Sequence, residues 1–177
     1  MAYITEAQLL GYREQLEFSS YKSLTKATAD ITIFLSHSHK DKTLVLGIIE
    51  ALARLRIKVY VDWQDSGMPR ITSRATAQLI KERIKSLDLF LILATKNAMD
   101  SKWVPWEIGY ADSVKQPESI AIIPVVDASG TFTGNEYLQL YQKIYSLDSS
   151  LMISQPGETQ GSIVSNWLRS VQLQKIR

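Results

Sequence analysis

Cysteine is absent from all 177 residues, and histidine occurs only twice, at His37 and His39. The first absence excludes disulfides, thiolate metal sites, a cysteine nucleophile and haem attached through cysteine, and it suits a reducing compartment. The second excludes any site built from three imidazoles. No apolar run approaches the roughly 18–20 residues needed to span a bilayer. The N-terminus, MAYITEAQLL, lacks the basic-then-apolar order of a secretory signal. Neither sign of charge dominates: 20 Lys+Arg face 18 Asp+Glu, too balanced to attract nucleic acid by bulk charge. The expectation is a soluble, cytoplasmic protein with no membrane and no nucleic-acid partner.

What is present is the material of a folded domain. Hydrophobic residues make up 45% and charged residues 21%, outside the range of disordered chains. The length suits one domain with an appendage. The reading is an N-terminal helical extension over 1–29 and a main domain over 30–177. The extension is read as a helix from Thr5 to about Lys26, with Leu9, Tyr12, Leu16, Phe18 and Tyr21 as candidates for its apolar side.

The main domain alternates short β-branched runs with helical stretches. ITIFL (31–35), IKVYV (57–61), LDLFLILA (87–94) and SIAIIPVV (119–126) read as buried strands. KIYSL (143–147) reads as an edge strand, and Pro124 places the end of its own strand at a rim or bulge. Between them, 44–55 has a helical period. A helix capped by Thr72 or Ser73 and running to about Lys85 turns Ala75, Leu79 and Ile84 inward. Ser101 caps another helix, to about Val114, and a last helix covers about 162–173 after a loop through Pro156 and Gly157. Strands separated by helices predict an α/β, flavodoxin-like three-layer fold: a five-stranded parallel sheet with helices on both faces, plus the N-terminal helix. In such sheets a ligand sits outside the strand C-termini at the switch in strand order, which brings together 36–42, 62–72 and 95–106.

The first of these segments, SHSHKDK, contains no glycine and is no glycine-rich phosphate cradle. Ser36, His37, Ser38 and His39 can offer hydrogen bonds to a sugar or phosphate, and Asp41 can cap the following helix; a capped turn with solvated imidazoles explains the same residues. Metal binding by His37 and His39 needs further ligands from Asp62 or Glu107, and no metal is expected. There is no G-x-S-x-G elbow for a serine nucleophile. In the third segment, Trp103 and Glu107 stand four apart and share a helix face. An indole one turn from a carboxylate suits stacking on a heterocycle beside a ribose diol; the competing reading is a core tryptophan and an exposed glutamate.

Taken together, the three segments resemble the Toll/interleukin-1 receptor (TIR) domain. ITIFLSHSHKDK is similar to the family's first box, with Ser36, His37 and Asp41 in its S-H-x-x-x-D places. VYVDWQDSGMPR resembles the second strand and the long loop after it. SKWVPWE is similar to the W-x-x-x-E stretch, with Trp103 and Glu107 matching residue by residue.

The resemblance implies one of two activities. Many bacterial members cleave the nicotinamide–ribose bond of NAD; other members only assemble through the domain. Glu107 at the W-x-x-x-E place favours the NAD-cleaving enzyme, an NAD+ nucleosidase or ADP-ribosyl cyclase with Glu107 as the catalytic carboxylate. The same likeness implies substrate contacts from Ser36, His37, Trp63, Arg70 and Trp103, with NAD+ as substrate and no cofactor. It also implies self-association through TIR surfaces, and a nucleotide signal or NAD depletion in bacterial antiphage immunity, with a separate effector. A non-catalytic adaptor, or a virulence TIR that interferes with host signalling, is the alternative.

Overall fold

Each apolar run becomes a strand because every second side chain finds a helix-covered face. The computed structural model describes residues 2–14, 31–67, 73–148 and 150–175. Strands β2 (Ile31–Ser36), β3 (Ile57–Tyr60), β4 (Leu89–Ala94), β5 (Ile120–Val126) and β6 (Gln142–Leu147) are parallel, in the order β3-β2-β4-β5-β6. The five expected parallel strands are therefore present, within a mixed sheet of eight strands, and the strand order reverses at β2.

Alternation along the strands separates two apolar layers. Ile31, Ile33 and Leu35 pack with Leu89, Leu91 and Leu93 beneath α1 (Glu6–Glu14), α2 (Lys42–Ala53) and α6 (Val164–Lys175). Phe34, Phe90 and Ile92 face the other way, against α3 (Arg74–Ser86), the short α4 (Lys96–Met99) and α5 (Trp103–Val114). The fold is three-layered and flavodoxin-like. None of the helices among the described residues is long and apolar enough to cross a membrane.

Several expectations are corrected in detail. KIYSL is not an edge, because β7 (Ser150–Ser154) pairs antiparallel with β6, and β8 (Ser162–Ile163) with β7. The stretch after Leu147 therefore holds two strands where the sequence suggested a loop, and α6 begins at Val164. On α3 the buried side is Thr76, Ile80 and Ile84, while Ala75 is exposed. Ser73 caps that helix in a reciprocal pair with Thr76; Ile84 faces inward as expected, and the two earlier inward positions lie one residue later than the pattern suggested. Pro124 pairs with Ala94 at the last position of the β4–β5 ladder, where the rim tolerates its missing N–H.

The N-terminal segment joins the same core. β1 (Ile4–Thr5) lies parallel to β5 opposite Val125 and Val126, and Ile4 and Leu9 are fully buried. α1 crosses α2 so closely that a Cβ on Gly47 would lie 2.0 Å from the Leu9 carbonyl oxygen. The remainder of the expected helix, including Leu16, Phe18 and Tyr21, lies outside the described residues.

Candidate active site

Because β2, β3 and β4 are parallel, the segments leaving their C-terminal ends emerge on one edge. They enclose a cavity of about 350 Å³ whose wall includes Leu35, His37, Asp62, Ile80, Trp103 and Glu107. A larger groove of about 460 Å³, between β7 and α6, has Glu158 as its one ionisable lining side chain. Of these two, the first combines a buried acid with imidazole and indole.

Glu107 sits in the second turn of α5 and is buried, at 7% exposure. Ser36, the last residue of β2, donates its hydroxyl to Glu107 Oε2 at 2.5 Å. Burial pushes the Glu107 carboxyl up to about 8, against the stabilising Ser36 hydroxyl and with a smaller contribution from the Asp62 charge. A carboxyl so placed exchanges its proton near neutral pH, which suits a catalytic group.

Trp103 begins α5 and lines the cavity half-buried. Its ring meets Trp106 edge-on, with centroids 5.3 Å apart. Trp106 points outward and stacks on Tyr110, with the Lys81 ammonium over both rings. Trp106 and Glu107, adjacent in the chain, thus serve different faces of this helix. Ser101 accepts from the Trp103 and Val104 N–H groups, so its expected capping role falls just before the helix starts.

Across the cavity, His37 is held by Nδ1 against the Leu35 carbonyl at 2.7 Å, and burial pushes its pKa down. Trp63 packs edge-on against its ring at 4.5 Å. Asp62 approaches both imidazoles: Oδ1 is 3.7 Å from His37 Nε2, and Oδ2 is 2.7 Å from His39 Nε2. The loop carrying Asp62 is tied down by Asp65, which accepts from Tyr60, Arg83 and the Gly67 N–H.

Asp41 corrects another expectation. It occupies the N-cap position of α2, yet its side chain makes no cap bond. Instead it accepts from Thr95 Oγ1 at 2.5 Å and Asn97 Nδ2 at 2.6 Å, locking the first connecting segment to the third.

Of the residues singled out in the sequence, His37, Ser38, His39, Asp62, Trp103 and Glu107 line one cavity. Ser36 reaches it through Glu107, and Trp63 through His37. Arg70 lies outside the described residues. Thr76, Ile80 and Asn97 also line the wall without any local signal in the sequence, since their places depend on how α3 and α4 pack. Asp62 appeared there only as a conditional metal ligand.

A comparison with protein families matches residues 33–151 to the family described as TIR domain, a span that contains every residue of the cavity wall. The chain belongs to the TIR family. This TIR domain is 34% identical over 154 residues to a Bacillus cereus (strain MSX-D12) protein provisionally named 3' cyclic ADP-D-ribose synthase ThsB', covering 82% of this chain and 72% of that one. A Cytobacillus dafuensis protein, provisionally named cyclic ADP-D-ribose synthase TIR2, is 34% identical over 82 residues. That match covers 45% of this TIR chain and 22% of the relative.

Proposed function

We propose that this TIR domain cleaves the nicotinamide–ribose bond of NAD+ and closes the ADP-ribosyl fragment into a cyclic ADP-ribose, with Glu107 as the catalytic carboxylate. The observation that carries this reading is Glu107 itself, a buried acid hydrogen-bonded by Ser36 in a cavity walled by Trp103 and His37. The names of the two relatives, both cyclic ADP-D-ribose synthases, support the substrate and the kind of product.

The chemistry needs few groups. The C–N bond breaks with its electron pair passing to the nicotinamide ring, which leaves neutral, so no general acid is required. Ordinary glycosidases use two carboxylates because their leaving oxygen must be protonated. The ribosyl carbon left behind carries positive charge, and an anionic Glu107 in a water-poor pocket steadies it electrostatically. An internal nucleophile of the ADP-ribosyl fragment then closes the ring; water in its place gives ADP-ribose, and the proton lost by an attacking hydroxyl or water passes to the Glu107 carboxylate or to solvent. A cavity of about 350 Å³ is at the small end for ligand pockets and suits the nicotinamide–ribose end, with Trp103 as a flat wall for the base.

The reading extends to biology: the cyclic product serves as a signal in bacterial antiphage immunity, read by a separate effector, and the domain self-associates when active. The same chemistry would also deplete NAD.

The test is incubation of the purified protein with NAD+ over a range of protein concentrations, resolving nicotinamide, ADP-ribose and cyclic products by chromatography. Release by wild type that falls at least a hundredfold in Glu107→Gln is expected. NAD consumption by Glu107→Gln at the wild-type rate overturns the assignment.

A further inference from the structure

We propose that His37, His39 and Asp62 form a binding site for one divalent first-row metal ion at the mouth of the cavity. His37 supplies the decisive observation. Its Nδ1 faces the Leu35 carbonyl at 2.7 Å, and a carbonyl can only accept, so the ring hydrogen lies on Nδ1. In the neutral imidazole Nε2 then presents a lone pair. That atom is buried and without a hydrogen-bond partner, in a side chain only 4% exposed. It faces another acceptor, Asp62 Oδ1, at 3.7 Å. A buried lone pair thus faces a half-buried carboxylate, and a metal ion between them would satisfy both.

The surroundings fit a metal ion. The ligand atoms of His37, His39 and Asp62 all lie within 4.8 Å of one another. His39 Nε2 donates to Asp62 Oδ2 at 2.7 Å, so metal binding would move that ring hydrogen to Nδ1 and bring the two carboxylate–imidazole separations, 2.7 and 3.7 Å, toward the ~2.9–3.4 Å expected between ligands held ~2.0–2.1 Å from one ion. A ligating histidine commonly donates its other ring N–H to a backbone carbonyl, which fixes the tautomer and aims the ring; His37 already has that arrangement. Trp63 packs edge-on against the ring and holds it in place. Two imidazoles and one carboxylate favour Zn2+, Co2+ or Fe2+ over Mg2+ or Ca2+, which prefer oxygen. Three protein ligands leave coordination positions open.

The site shares the cavity wall with Glu107 but is tested without NAD. The metal-free full chain is titrated with Zn2+ and followed by calorimetry. Wild type is expected to bind one ion with micromolar or tighter affinity. His39→Ala and Asp62→Asn are each expected to weaken binding at least tenfold; the His39 side chain is 73% exposed, so its loss leaves the core intact. A weaker effect in either variant, or no binding at 1:1 stoichiometry in wild type, overturns the proposal. A second readout needs no variant: in ¹⁵N-labelled wild type, Zn2+ should shift the His37 Nε2 resonance while Nδ1 keeps its proton. A His37 ring that instead holds protons on both nitrogens and ignores Zn2+ overturns it equally.

Discussion

The hydroxyl of Ser36 and the carboxyl of Glu107 meet at 2.5 Å, joining the end of β2 to the second turn of α5. The bond stabilises the charged form of an acid that burial otherwise holds protonated. The balance between these effects decides when Glu107 is an anion, and most of the following predictions turn on it.

The NAD-cleaving rate should depend on pH through Glu107. The free protein carries this carboxyl near 8, so kcat/KM should rise about tenfold per pH unit below that value and level off above it. The kcat profile should lie at lower pH, because the cationic nicotinamide ring favours the anion once bound. Initial rates from pH 5.5 to 9.5 check both limbs.

Ser36→Ala removes the donor without disturbing the strand. Loss of a hydrogen bond to a charged acceptor is worth roughly 1.5–3 kcal/mol. The rising limb of kcat/KM should therefore move to higher pH by about one unit or more. Ser36→Thr, which keeps the hydroxyl, should restore the profile. A merely structural role for Ser36 would change the rate without moving the limb.

Glu107→Gln should stabilise the protein as the pH rises. The carboxyl titrates at its ordinary 4.5 in the unfolded chain and at about 8 in the folded one. Between those values the folded state holds the extra proton, so wild-type stability falls with rising pH. The fall should total on the order of 3–5 kcal/mol by pH 8 and above. Glutamine does not titrate. Melting temperatures should separate progressively from pH 5 to pH 8, with the variant the higher.

Gly47→Ala should destabilise the protein by about 1–3 kcal/mol through overpacking, because the new methyl would meet the Leu9 carbonyl. Gly11→Ala is the control: nothing lies within 4 Å of a Cβ there, and a helical glycine-to-alanine change should stabilise by up to about 1 kcal/mol. Urea denaturation of both variants checks the contrast.

Legibility in the sequence followed the range of the interactions. The parallel strands were visible because apolar runs such as 31–35 and 89–93 are continuous and buried on both faces. Strand β7 was not, because it depends on a reversal at Asp148, whose φ of 47° is a left-handed turn made without glycine. The spacing of Trp103 and Glu107 placed them on one helix face but gave no measure of depth. Burial of Glu107 comes from β2 and α3, which local pattern does not encode. The meeting of Asp62 with both imidazoles likewise requires the β2–β3 register, and Asp41 looked like a helix cap because its bonds to Thr95 and Asn97 span the sheet edge.

The family signature, 33–151, is smaller than the unit that closes the core. Ile4 and Leu9 lie before it, and Val164, Trp167, Leu168 and Val171 after it, all buried in one apolar layer. An excised fragment trimmed to the homology limits would keep the whole reaction pocket yet bare an oily flank of the sheet. It should clump or melt early, so a dead fragment of that length would say nothing about the chemistry.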